Sequence, residues 1–425
     1  MARGWRRLAA AWMFVFASAT HGSTQPDSAP HAVAPATGDE RRTLESAAHE
    51  LEQRIERSER LYGHAGLDLY LQAIADKLQA SGPLPALGPV RVRVIKDKDA
   101  NAFVLPNGAV YVTTALLCDL GSEAELASVL SHEIAHHTSS HALRAMRDQN
   151  SRAQDARAAR TVLGVLVGIA IASVAGAGPI ILDKPAILRR QASEVWELAS
   201  VNGYSSAFER EADDESLRRL AASGYDADAA TAAFEHLSAA ADPAGVSQAS
   251  HLASRPKLEE RIRSYRALIA AEFAQATGPG RFVGRDEYAA AVAGIGLEQV
   301  AVLINSAELK RAQALLEAEI ARGDSARAAY LGGEIARRVV PPTPETEARA
   351  LAAYGRATTL PQPLAAAYRE QGILYRRRGD RAAAMAAFRA YLERAPTAED
   401  APIVRLYLEA LAAPGPAAAP TRSGP

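Results

Sequence analysis

The run His132-Glu133-Ile134-Ala135-His136 constrains this 425-residue chain more than any other. On a helix turning about 100° per residue, positions four apart lie about 40° apart, so both imidazoles converge on one point in space. Glu133 falls in the same arc, near enough to polarise a water held at that point but offset from direct ligation. The bland alternative is a surface helix with two incidental histidines. Ser122-Glu123-Ala124-Glu125 reads as a capping box that starts the helix, and Leu126, Val129 and Leu130 carry it into the histidines.

A second acidic pair argues against the bland reading. In Tyr204-Ser205-Ser206-Ala207-Phe208-Glu209-Arg210-Glu211-Ala212-Asp213, the i, i+4 spacing of Glu209 and Asp213 puts both on one helical face. A zinc hydrolase needs three protein ligands and one open position, and Glu209 can supply the third. Asp213 can accept a proton from the far nitrogen of His132 and fix its tautomer. Glu211 competes for the ligand role, but it would point about 160° away from both neighbours. His137 and His141 form another i, i+4 pair with no glutamate between them, which suits a structural role. The expected cofactor is one Zn2+ per chain, since a His/His/Glu set favours zinc among divalent metals. Glu133 is the expected general base, taking a proton from the activated water and returning it to the leaving amine.

Around these motifs the chain reads as α+β. Residues 1–19 place Arg3, Arg6 and Arg7 ahead of the apolar run Leu8 to Phe16 and then Ala17-Ser18-Ala19, the pattern of a secretory signal peptide. Residues 20–39 read as a linker, and folding is expected to begin near Glu40. Leu44 to Leu78 recur at helical spacing, giving two helices broken around Gly63 to Gly66. Val90 to Ile95 alternates at period two, and Ala102 to Leu105 and Val110 to Val112 flank Pro106-Asn107-Gly108 as a hairpin. The peptidase-like domain is expected over 40–272.

Inside that domain, 161–182 is an uncharged stretch of 22 residues. By length it could span a bilayer, but one crossing would put His136 and Glu209 on opposite sides, so it reads as a buried or membrane-skimming segment. The lone Cys118 sits in an apolar run and reads as a small buried side chain. With 48 Lys and Arg against 49 Asp and Glu, the charge balance gives no pull toward nucleic acid.

From 281 to 413 the chain is Ala-rich and helical. Taking residue 365 as position 1 of a 34-residue unit places Gly372, Tyr375, Ala384, Phe388 and Pro396 at positions 8, 11, 20, 24 and 32 of the tetratricopeptide pattern. One such hairpin cannot bury its apolar face alone, so degenerate neighbours are expected around 300–360, with Pro341-Pro342-Thr343-Pro344 breaking their period. A generic helical bundle is the alternative. Residues 414–425 read as a disordered Pro/Ala-rich tail.

Three blocks together resemble the HtpX and CAAX-prenyl-protease type metallopeptidases, peptidase family forty-eight among the gluzincins. They are Asn101-Ala102-Phe103 with Gly108 and Tyr111-Val112, then His132 to His136 with His141, then Glu209-x-x-x-Asp213 before Gly224-Tyr225. The signal peptide and helical tail are similar to its periplasmic, beta-barrel assembly-enhancing branch. The resemblance implies a mostly helical catalytic domain with a small sheet, in which Asp213 and His141 support the metal ligands. It implies that Asn101, Ala102 and Phe103 lie on an edge strand that takes up an extended substrate. It also implies that the tail docks onto the protease domain and onto outer-membrane assembly machinery.

Two departures from that family stand out. Arg255 in Ser254-Arg255-Pro256 replaces a histidine that in the periplasmic branch caps the zinc; Arg255 suits a carboxylate or an oxyanion instead, and His251 is a substitute cap. Ser206 stands where the family commonly has Arg. The function these readings lead to is a periplasmic zinc endopeptidase acting on misfolded or stalled envelope proteins, with peripheral membrane contact through 161–182. The rival is a metal-binding chaperone or scaffold acting through its helical tail.

Overall fold

A computed structural model describes residues 35–83, 88–147, 206–240 and 255–413. The signal peptide, the 161–182 segment, His251 and the 414–425 tail lie outside the described residues. The architecture is α+β: helices surround one three-stranded sheet, and a run of helices follows.

Two helices open the fold, α1 (Gly38–Arg57) and α2 (Ala65–Gln79). A capping box at Thr37 and Glu40 starts α1, with each side chain bonded to the other's backbone N–H. The strands are β1 (Arg91–Ile95), β2 (Ala102–Val104) and β3 (Ala109–Thr113), in spatial order β1-β3-β2. β1 pairs parallel with β3, Arg91 opposite Ala109, and β2 pairs antiparallel with β3, Phe103 opposite Tyr111. Side chains alternate across the sheet. Val92, Val94, Ala102, Val110 and Val112 join the main core with α2, whereas Phe103 and Tyr111 stack on each other in a second cluster with Ala48, Leu51 and Ile55 of α1. β3 is therefore buried throughout.

The two edges of the sheet differ. Tyr62 N–H bonds Val94 O at 2.9 Å, Lys96 N–H bonds Arg60 O at 2.7 Å, and Gln72 and Gln79 accept from Val92 and Val90, which closes the outer edge of β1. Among the described residues no strand pairs with the outer edge of β2.

After β3, helix α3 (Thr114–Asp119) leads to α4 (Glu123–Thr138), which carries the histidines and is buried from Glu123 to His137. Ser122 caps it by accepting from Glu125 N–H at 3.3 Å. The reciprocal bond differs from a capping box: the Glu125 carboxylate accepts from Gly121 N–H at 2.9 Å and meets His236 at 2.7 Å. Two further N–H groups of the first turn are satisfied from far along the chain. Glu123 N–H reaches Gly284 O at 3.2 Å and Ala124 N–H reaches Val283 O at 3.0 Å. Glu123 itself, a buried carboxylate, accepts from Tyr225 at 2.6 Å and Tyr70 at 2.8 Å. Helices α5 (Ser206–Ala222), α6 (Ala229–Ala240) and α7 (Arg255–Glu272) complete the packing around α4.

Eight helices follow: α8 (Arg285–Ala291), α9 (Ile295–Asn305), α10 (Leu309–Arg322), α11 (Ala326–Arg337), α12 (Pro344–Thr359), α13 (Ala365–Arg377), α14 (Arg381–Arg394) and α15 (Ala401–Ala412). The join with the first part is a real interface. Tyr288 and Ile295 belong to the main core, Tyr288 Oη donates to Leu117 O at 2.7 Å, and Thr114 Oγ1 meets Gln299 at 2.6 Å. No single helix among the described residues is long and apolar enough to cross a membrane.

α13 packs on α14, and a Cβ on Gly372 would lie 2.5 Å from the Phe388 ring. α11 and α12 repeat it, with Gly333 2.4 Å from the Tyr354 ring on the same measure, across a longer connection containing Pro341 and Pro342. Gly372→Ala and Gly333→Ala should each destabilise the chain by about 1–3 kcal/mol through overpacking. Gly323→Ala, where a Cβ meets nothing within 4 Å, is the control expected to leave the denaturant midpoint unchanged.

Candidate metal site

Helix α4 brings His132 and His136 together as its periodicity dictates, with their Nε2 atoms 3.0 Å apart. α5, packed alongside, contributes Glu209, whose carboxylate oxygens lie 3.5 Å from His132 Nε2 and 3.7 Å from His136 Nε2. One ligand atom from each of the three residues falls within 4.8 Å of the others. Two imidazole nitrogens and a carboxylate oxygen turned onto one point form a donor set that fits a divalent cation.

The far nitrogens of both histidines are engaged. His132 Nδ1 lies 3.0 Å from Asp213 Oδ1. The same oxygen takes Arg261 Nη2 at 2.6 Å and Tyr265 Oη at 2.7 Å, both from α7. Ser216 Oγ donates to Asp213 O at 2.7 Å and lies 3.2 Å from Tyr265 Oη. Phe234 of α6 carries the Arg261 guanidinium on its face at 4.5 Å and meets the Tyr265 ring edge-on at 5.2 Å. On the other side, His136 Nδ1 lies 2.8 Å from His141 Nδ1.

Electrostatics follow from this packing. Burial pushes the Glu133 carboxyl up to about 7, with Glu209 adding to the rise, while His132, Arg261 and the N–H of Val104 oppose it. Burial also disfavours charge on His132, as does Arg261, but hydrogen bonds to Asp213 and Glu209 outweigh both and raise it to about 9. Burial holds His136 well below the usual imidazole range and lowers His141 to about 4. Asp213 resists its own burial, chiefly because of Arg261, and falls to about 2. Cys118 is not part of this chemistry; burial pushes its thiol up.

α4 packs against β2, which brings Glu133 near the backbone of Val104. Residues 101 and 105 bond inward to β3, through Asn101 O to Thr113 N–H and Leu105 N–H to Ala109 O. By the alternation of an antiparallel ladder, Ala102 and Val104 turn their backbone groups outward. Asn101, one residue before β2, is buried, and the Phe103 ring lies in the α1 cluster. A small pocket beside the strand end is lined by Val104, Leu105, Pro106, His136, Ser140 and Leu143.

Glu211 stays off the metal side and meets His141 and Arg144 instead. Arg255 is the first residue of α7, and its side chain, like that of Ser206 on α5, lies outside the described residues. Sequence spacing missed Arg261 and Tyr265 as partners of Asp213. They are an i, i+4 pair on α7, and that spacing was the available signal.

The chain is similar to several known peptidases. Residues 67–269 match peptidase family M48. A putative beta-barrel assembly-enhancing protease of Vibrio cholerae is 30% identical over 171 residues, covering 40% of this chain and 33% of that protein. Metalloprotease YcaL of Escherichia coli K12 is 30% identical over 182 residues, 43% of this chain and 63% of that one. Mitochondrial metalloendopeptidase OMA1 of Bos taurus is 37% identical over 67 residues, 15% of this chain and 13% of that protein. The match thus spans a third of the first relative's length and under two thirds of the second's. All of these similarities are to proteins named as proteases, and residues 67–269 of this chain are similar to peptidase family M48.

Proposed function

We propose that the chain is a periplasmic zinc endopeptidase that cleaves misfolded or unassembled outer-membrane proteins. The observation that carries the reading is that α4, which sets Glu133 beside the His132/His136/Glu209 donor set, packs against β2, whose outer edge no strand pairs with among the described residues. His132, His136 and Glu209 would hold the metal, which when bound supplies a Lewis acid that polarises a carbonyl and acidifies water. The outward backbone groups of Ala102 and Val104 bind an extended peptide by adding it to the sheet, which recognises unfolded chain without demanding one sequence. Glu133, its carboxyl poised near neutrality, takes a proton from the attacking water and hands it to the leaving amine. Asp213, gripped by Arg261 and Tyr265, keeps the His132 ring aimed.

The envelope substrates and the periplasm are supported by the names of the assembly-enhancing relatives and by the signal-peptide pattern of residues 1–19. In this reading the helices from α9 onward, which resemble tetratricopeptide repeats, select clients or dock onto assembly machinery, and 161–182 makes peripheral membrane contact.

Glu133→Gln should retain zinc and lose cleavage of an unfolded protein substrate by about 10²- to 10⁴-fold. Equal turnover by both proteins, with zinc quantified in each, would sink the assignment of the base. Asp213→Ala should weaken zinc binding by about 10- to 100-fold, read by chelator competition. Chelation of the wild type should stop cleavage, and added zinc should restore it.

A further inference from the structure

We infer that Glu211 is a positioning residue for the metal site, acting through His141 to fix the tautomer and orientation of His136. The inference rests on the proposal that His136 ligates a metal, and it gives a task to a carboxylate that spacing alone would set against Glu209 as a ligand.

The chain reverses after α4 through Ser140, which holds a left-handed φ of 53°. That turn folds His141 back beneath His136, where it is fully buried. Its ring stacks on Phe208 with centroids 4.7 Å apart and planes 7° from parallel, and the Arg144 guanidinium covers the same Phe208 ring at 4.3 Å. Arg144 Nη1 grips both Glu211 oxygens at 2.8 and 2.7 Å, and Glu211 Oε2 stands 3.4 Å from His141 Nε2. Phe208 and Glu211, both on α5, thus hold the ring from its face and from its Nε2 edge. Glu209 works on another face of the same helix.

Tutored by proton counting, this geometry becomes directional. His136 Nδ1 and His141 Nδ1 lie 2.8 Å apart, so one hydrogen has to sit between them. If His136 offers Nε2 to a metal, its Nδ1 carries that hydrogen, and His141 has to accept with a bare Nδ1. Neutral His141 then carries its own hydrogen on Nε2, the nitrogen that faces Glu211. At 3.4 Å and outside hydrogen-bond geometry, the negative carboxylate favours by its charge the tautomer of His141 that can accept from His136. Without it, His141 is free to place its hydrogen on Nδ1, where it opposes the hydrogen of a ligating His136.

The test uses the full chain with Glu211→Ala, Glu211→Gln, His141→Phe and the His141→Phe/Glu211→Ala double variant. Zinc affinity is read by chelator competition, and thermal unfolding is followed on the metal-stripped proteins. Glu211→Ala should lose about 10- to 100-fold in affinity with an unchanged metal-stripped unfolding midpoint. Glu211→Gln, which keeps an oxygen facing His141 Nε2 but loses the charge, should recover part of it. In the His141→Phe background the Glu211→Ala change should cost nothing further, because the two act in series. Unchanged affinity in Glu211→Ala, an equal loss in both backgrounds, or a loss matched by a lower unfolding midpoint would overturn the inference. Wild type that binds no zinc would instead overturn the metal site on which it rests.

Discussion

The Asp213 carboxylate is the contact on which the site depends. It lies on α5, faces His132 of α4, and takes Arg261 and Tyr265 from α7, so one carboxylate oxygen joins three helices. A buried charge is tolerated only when donors surround it, and removing one partner of such a pair typically costs about 3–5 kcal/mol. The packing of α7 against α5 and the aim of a metal ligand are thereby the same interaction. A displacement of α7 is therefore felt at His132 through Asp213.

The same economy recurs around α4. Its first turn buries Glu123 against two tyrosine hydroxyls and Glu125 against Gly121 N–H, Ser122 and His236. Acidic groups suit a helix N-terminus, whose dipole favours negative charge. The far end of the helix reverses through Ser140 and presents His141 to His136. A helix that must aim two rings is therefore fixed at its start by carboxylates and at its end by a turn.

What could be read from the sequence was whatever repeats within one element. Helical spacing brought His132 to His136 and separated Glu209 from Glu211, period two exposed β1, and a turn signal marked the β2–β3 hairpin. The α+β class followed from those elements. The parallel pairing of β1 with β3 was not legible, because two strands can lie next to each other in space without an intervening local signal. Nor were Arg261 and Tyr265, 48 and 52 residues from the carboxylate they bind. Even the start of α4 was legible only in part: Ser122 was readable as its cap, but the reach of Glu125 to Gly121 depends on the loop conformation before it.

The carbonyls of Val283 and Gly284 have a consequence for how the chain can be divided. They cap the first turn of α4, yet they lie past α7, where composition changes and a boundary would be drawn. A fragment ending at 272 would keep every proposed metal ligand and still leave the N–H groups of Glu123 and Ala124 without those acceptors. It would also strip Tyr288 from Leu117 and Ile295 from the main core. The half that carries the candidate metal site is consequently finished by the first turns of the helical half, and the smallest piece that keeps its own core intact extends through the start of α9.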